Sequence, residues 1–140
     1  MSRETIEHTY EINAEAENVW ANVAKASGVH KWLPIITACR LAGEGVGAKR
    51  VCTTQQGDMN ETILSIDHNR RIFRYAIDEQ PLLPISKVVG TMKVAEEHGK
   101  TKLHWTLDFD IDGEDHVPAV RQAVGEMYQA GANGLEIISQ

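Results

Sequence analysis

Residues 114–139 read EDHVPAVRQAVGEMYQAGANGLEIIS, and they decide the fold. Val117, Val120, Val124, Met127, Tyr128, Gly131, Leu135 and Ile138 recur at spacings of three and four, which draws one apolar stripe along a long helix. Pro118 fits only in its first turn, where no backbone hydrogen bond is lost. A helix with a single stripe has to lie on something, and the rest of the chain offers a sheet. A curved sheet gripping one long helix leaves an apolar hollow between the two layers.

Working back from the helix, residues 101–111 alternate: Leu103, Trp105, Leu107 and Phe109 against His104, Thr106, Asp108 and Asp110. Residues 4–12 alternate as well, with Ile6, His8, Tyr10 and Ile12 on one side, so these two segments are expected to be neighbouring antiparallel strands. Asn13 is placed to cap a helix that buries Ala16, Val19, Trp20 and Val23 and stops at Ser27-Gly28. A brief second helix or turn follows, ended by Pro34. Strands are expected over 36–42, 48–55, 58–67, 71–78 and 86–95, with 48–67 folded as a hairpin about Gln56-Gly57.

The chain has 140 residues, 42% hydrophobic and 24% charged, which fits one soluble globular domain over 1–140 that buries roughly 70% of its unfolded surface. A net charge of −6 argues against a nucleic-acid partner and against tight binding to anionic membranes. There is no signal-like N-terminal segment and no run long enough for membrane insertion, so a cytoplasmic location is expected. Cys39 and Cys52 are too few, and too far apart in sequence, for a disulfide framework or a CxxC metal site, and are expected as free, buried thiols. The histidines lack metal-ligand spacing, so no metal is expected. Gly43 to Gly47 precedes a strand and lacks the context of a dinucleotide loop, and no cofactor is implied.

The order strand, two short helices, six strands, long helix resembles the START-like (SRPBCC) helix-grip superfamily. Ile12-Asn13-Ala14 with Val19-Trp20 is similar to the opening I-x-A … V-W, and Trp32-Leu33-Pro34 to W-x-P. Gly45-Val46-Gly47 through Arg50 resembles G-x-G-x-x-R. Glu61-Thr62-Ile63 through Asp67 resembles E-x-L … D, and Phe73-Arg74-Tyr75 the tyrosine motif after it. The chain is identified by these as similar to the polyketide cyclase/dehydrase and lipid-transport family and, more distantly, to the plant abscisic acid receptors. The resemblance implies an α+β fold, with seven antiparallel strands curved around the C-terminal helix and a cavity for a small hydrophobic ligand.

Hairpin parity puts Arg50, Cys52, Met59, Glu61 and Ile63 on one face, Arg50 and Glu61 diagonally adjacent, and Val51, Leu64 and Ile66 on the other. Hydrophobicity does not decide which face is inside. The resemblance does, because the matching glutamate and arginine of the family point into the cavity. Arg50 and Glu61 then read either as a polar anchor for a ligand or as a structural ion pair. Tyr75 either presents its phenol to a ligand or packs under the helix. His8 is a candidate general base, or a core histidine bonded to a neighbour. Gly125, Gly131 and Gly134 leave room for a ligand or for close packing, and Pro81-Leu82-Leu83-Pro84 is a lid or a stiff connector. The expected ligand-binding set is Trp32, Arg50, Cys52, Glu61, Ile63, Tyr75, Val88, Met92 and Met127. Three functions compete: a carrier of a lipid, polyketide or aromatic molecule; a cyclase or dehydratase using Glu61, His8 or Tyr75 for proton transfer; and a protein-interaction module. The oligomeric state is not written in the sequence.

Overall fold

The alternating segments all form strands. A computed structural model describes residues 1–140, and its strands are β1 (Ser2–Ile12), β2 (Ala38–Ala42), β3 (Lys49–Thr54), β4 (Gly57–Asp67), β5 (Ile72–Glu79), β6 (Ile85–Glu97) and β7 (Lys100–Ile111). They pair antiparallel in the order β1-β7-β6-β5-β4-β3-β2. β1 lies beside β7 as expected, with Ile6 opposite Leu107 and His8 opposite Trp105. Helix α1 (Ala16–Ala24) and a 3-10 turn (Val29–Lys31) follow β1, and helix α2 (Val117–Ile138) closes the chain.

The concave face of the sheet carries Trp105, Leu107, Phe109, Phe73 and Ile63, all buried. α2 presses Val120, Val124, Tyr128, Ala132 and Leu135 onto it. The stripe is a turn shorter than its periodicity suggests, because Ile138 is part of an exposed end with Ile137. β6 and β7 are joined by His98 and Gly99, both at positive φ (55° and 76°), a mirror-image turn whose twist matches the flanking strands.

Three local expectations are corrected. Asn13 does not cap α1; Glu15 holds that position without a side-chain bond, while the Asn13 amide donates to Glu136 at 2.7 Å and so ties β1 to α2. The β3–β4 turn is Gln55-Gln56, with Thr54 opposite Gly57, so Arg50 stands directly opposite Glu61 rather than diagonal to it. The shift is by two residues in the pairing sum, which leaves every side chain on its expected face. Finally, a bulge at Leu64 takes that residue out of the ladder and returns Ile66 to the inner face opposite Phe73. No helix is long and apolar enough to cross a membrane.

Candidate functional site

Between the sheet and α2 lies a cavity that admits the centres of water-sized spheres over about 80 Å³. A single water needs roughly 10–15 Å³ by that measure, so the space takes several. Its wall is apolar except for Arg50, Glu61, the phenols of Tyr75 and Tyr128, and Gln80.

Neighbouring strands bring Arg50 and Glu61 together, each 5% exposed. The guanidinium gives two hydrogen bonds to one carboxylate oxygen, Nε and Nη2 to Oε1 at 2.8 and 2.5 Å. Nη1 donates to the Ala26 carbonyl at 2.8 Å. Ala26 holds φ at 63°, a left-handed conformation uncommon for alanine, just after α1. The Arg50 charge also sits 5.2 Å from the Tyr75 ring centre and 5.6 Å from that of Phe73, inside cation–π range. Burial pushes the Glu61 carboxyl above its ordinary range and Arg50 pulls against that rise. For Arg50, burial works against the charge, but Glu61 and its other neighbours outweigh it and hold the guanidinium more firmly protonated. Both Arg50 bonds to Glu61 fall on Oε1, and Oε2 accepts no hydrogen bond.

Tyr75 sits opposite Gly90, where a Cβ would overlap its ring, so glycine on β6 is what gives the phenol its place. The Tyr75 hydroxyl accepts from Trp105 Nε1 at 3.1 Å. Burial, reinforced by the Glu61 charge, pushes Tyr75 up to about 12. Trp105 in turn stacks on Tyr128 at 3.8 Å between ring centres. The Tyr128 hydroxyl is buried and has no hydrogen-bond partner. Tyr75 is close enough to oppose its ionisation but does not meet it in bonding geometry, and burial first, then Tyr75, raises Tyr128 well above the ordinary phenol range.

The 79–84 loop closes one side. The Gln80 amide organises it, accepting from the Leu82 and Leu83 amides at 2.8 Å each and donating to the Leu83 and Ile85 carbonyls at 2.7 and 3.3 Å. Leu82, Leu83 and Ile85 face the cavity. The loop is thus both an apolar wall and a stiff connector.

Of the expected set, Trp32, Arg50, Cys52, Glu61, Tyr75, Met92 and Met127 line the cavity. Ile63 and Val88 do not. Both point inward, in phase with Glu61 and Met92 as expected, but are buried in the packed core rather than on the cavity wall. His8 faces a different hollow between β1 and α2, against Gly125 and edge-on to Tyr128, and does not share the cavity with Glu61. None of Gly125, Gly131 and Gly134 opens the cavity. A Cβ on Gly131 would come within 2.9 Å of Trp105, and one on Gly134 would overlap the Trp32 carbonyl, so both mark close packing. The residues that sequence reasoning missed include Tyr128, Trp105, Leu107, Met59 and Gln80. The alternation of β7 and the parity of Met59 with Glu61 carried a signal for three of them.

The family model described as polyketide cyclase / dehydrase and lipid transport matches residues 3–137. The chain belongs to this family. None of the curated proteins matches its sequence. Among solved structures, a Nitrosospira multiformis protein is 19% identical with a TM-score of 0.81, covering 98% of this chain and 97% of its own. A Thermobifida fusca protein is 23% identical with a TM-score of 0.80, covering 97% and 95%. Truncated norcoclaurine synthase from Thalictrum flavum is 18% identical with a TM-score of 0.75, covering 96% and 92%. At these identities the likeness is one of fold: family membership makes this a ligand-binding architecture, and the chemistry has to be argued from the cavity.

Proposed function

We propose that this family member binds a small, mostly apolar molecule, a lipid, polyketide or aromatic compound, that carries a hydroxyl into the cavity between sheet and α2. The observation that carries this reading is an unspent polar atom in an apolar wall, the buried and partnerless Tyr128 hydroxyl, on the same cavity as the Glu61 carboxylate, whose Oε2 accepts no hydrogen bond. A buried polar group left without a partner costs about 1–3 kcal/mol. A ligand hydroxyl satisfies either atom, because it donates to a carboxylate and accepts from a phenol. Trp32, Cys52, Met92 and Met127 supply apolar contact, and Arg50 keeps the Glu61 carboxylate in place. Native mass spectrometry of the purified protein is expected to reveal a retained small molecule or to capture one from a panel of hydroxylated lipids and aromatics. A protein that stays empty throughout would overturn the reading.

A second reading, an enzyme in which Glu61 moves a proton, is supported by burial holding that carboxyl above its ordinary range inside a cavity. Glu61→Gln separates the two, since it keeps the shape and removes the titration. As an anchor, Glu61 gives up about 1–3 kcal/mol of ligand affinity on this change. As an acid or base, it leaves binding intact and lowers turnover roughly 10²–10⁴-fold. The pairing with Arg50 favours the first outcome, because a paired carboxylate is a poor proton donor.

A further inference from the structure

Cys39 and Cys52, distant in sequence, face each other across β2 and β3 as a directly opposed pair. Their Sγ atoms are 3.2 Å apart and both thiols are free. Opposed residues on antiparallel strands have Cα atoms about 4.5 or 5.5 Å apart, and both values fall inside the roughly 4.4–6.8 Å that a disulfide spans. The two thiols differ in access. Cys39 is half-buried on β2, the edge strand of the sheet, whereas Cys52 is 1% exposed in the cavity wall.

We propose that Cys39 and Cys52 are a peroxide-sensitive dithiol, in which Cys39 is oxidised first and Cys52 resolves it as a cross-strand disulfide. The Cys39 thiolate attacks a peroxide oxygen; the S–O bond forms, the O–O bond breaks, and hydroxide leaves and takes a proton to become water. The sulfur is oxidised to sulfenic acid. Cys52 then gives up its proton and attacks that sulfur; the S–S bond forms, the S–O bond breaks, and a second water leaves. In total, two thiols lose two electrons and two protons and one hydrogen peroxide is reduced to two waters.

The surroundings support this division of roles. The hydrogen bond from Cys52 draws the Cys39 thiol down to about 6 against the opposing effect of burial, and the Val29 backbone and the Arg50 charge help. The same bond, followed by burial and the Glu61 charge, pushes Cys52 far up. Oxidation of Cys39 removes the thiolate that holds the Cys52 proton, so the resolving thiol is released at the step that needs it.

The test is mild hydrogen peroxide on the folded full chain, read by intact mass. The expected result is loss of two hydrogen masses and of both alkylatable thiols, a linked pair of peptides carrying Cys39 and Cys52, and full reversal by dithiothreitol. Cys52→Ser is expected to accumulate a dimedone-trappable sulfenic acid at Cys39, and Cys39→Ser to leave Cys52 reduced. The wild-type mass result stands by itself if either variant fails to fold. Persistence of both thiols, oxygen addition at Cys39 without a cross-link, bridging between two molecules, or undiminished oxidation of Cys52 in Cys39→Ser would each overturn the proposal.

Discussion

Arg50 cannot release its proton inside the protein, and Glu61 can take one up; that asymmetry governs what the buried pair tolerates. Glu61→Leu strands a guanidinium among apolar walls and is expected to cost about 3–5 kcal/mol in urea unfolding. Arg50→Leu is expected to cost less, about 1–3 kcal/mol, because Glu61 escapes by becoming neutral. The pH dependence follows. Burial already raises the folded-state Glu61 above its ordinary value, and Arg50 restrains the rise. Without Arg50 the folded carboxyl binds its proton still more tightly than the unfolded one. Stability of Arg50→Leu is then full below the ordinary carboxylate range and falls as pH climbs through the raised value. A pH series of urea melts in which that variant gains stability toward alkali contradicts this. Tyr128→Phe removes a buried hydroxyl without a partner, so the empty protein should keep its stability or gain up to about 1 kcal/mol, while ligand affinity falls. At this scale the sequence made Arg50 and Glu61 visible through their shared parity. It could not reveal the orphan hydroxyl of Tyr128, which depends on the angle at which α2 meets Trp105.

The three glycines of α2 test how the helix is seated. At Gly125 a Cβ would rest 3.6 Å from His8 Nε2, an ordinary contact, so Gly125→Ala is expected to gain roughly 0.5–1 kcal/mol from helix propensity. At Gly134 the Cβ would overlap the backbone carbonyl of Trp32, which has no side-chain rotation with which to yield. Gly134→Ala is therefore expected to lose about 1–3 kcal/mol net, the usual cost of overpacking, despite the better propensity of alanine. Thermal melts that rank the two the other way would show that α2 does not sit as described. Gln80→Ala removes four hydrogen bonds from the 79–84 loop, and amide exchange at Leu82 and Leu83 should accelerate while α2 stays protected. The strands and α2 were legible because period two and period 3.6 are written in apolar residues. The bulge in β4 was not: the extra residue at Leu64 bears no mark of type, and it reverses the parity beyond it, which is why Ile66 was assigned to the wrong face, while Ile63 and Val88 kept their expected inward parity but are packed too tightly to reach the cavity.

The whole molecule is a sheet of seven strands closed on one side by α2, with the Tyr128 hydroxyl as the buried side-chain polar atom left without a partner on the cavity wall. That a cavity exists was implied by one striped helix on a curved sheet, and the motif order sharpened the expectation. Its lining was only partly legible, because it depends on side chains contributed by β3, β4, β5, β6, β7, α2 and the loop at once, as Gln80 and Trp105 illustrate. The central claim is that this space holds a hydroxylated apolar ligand, and the most direct measurement is the melting temperature across a panel of such compounds. A true ligand at 100 times its dissociation constant adds about 2.7 kcal/mol, a rise of roughly 2–8 °C for a domain of this size. The prediction is a rise of that order in the wild type, reduced in Glu61→Gln and in Tyr128→Phe. A panel of sterols, fatty acids, flavonoids and polyketides that leaves the wild-type melting temperature unmoved, or shifts all three proteins equally, would contradict it.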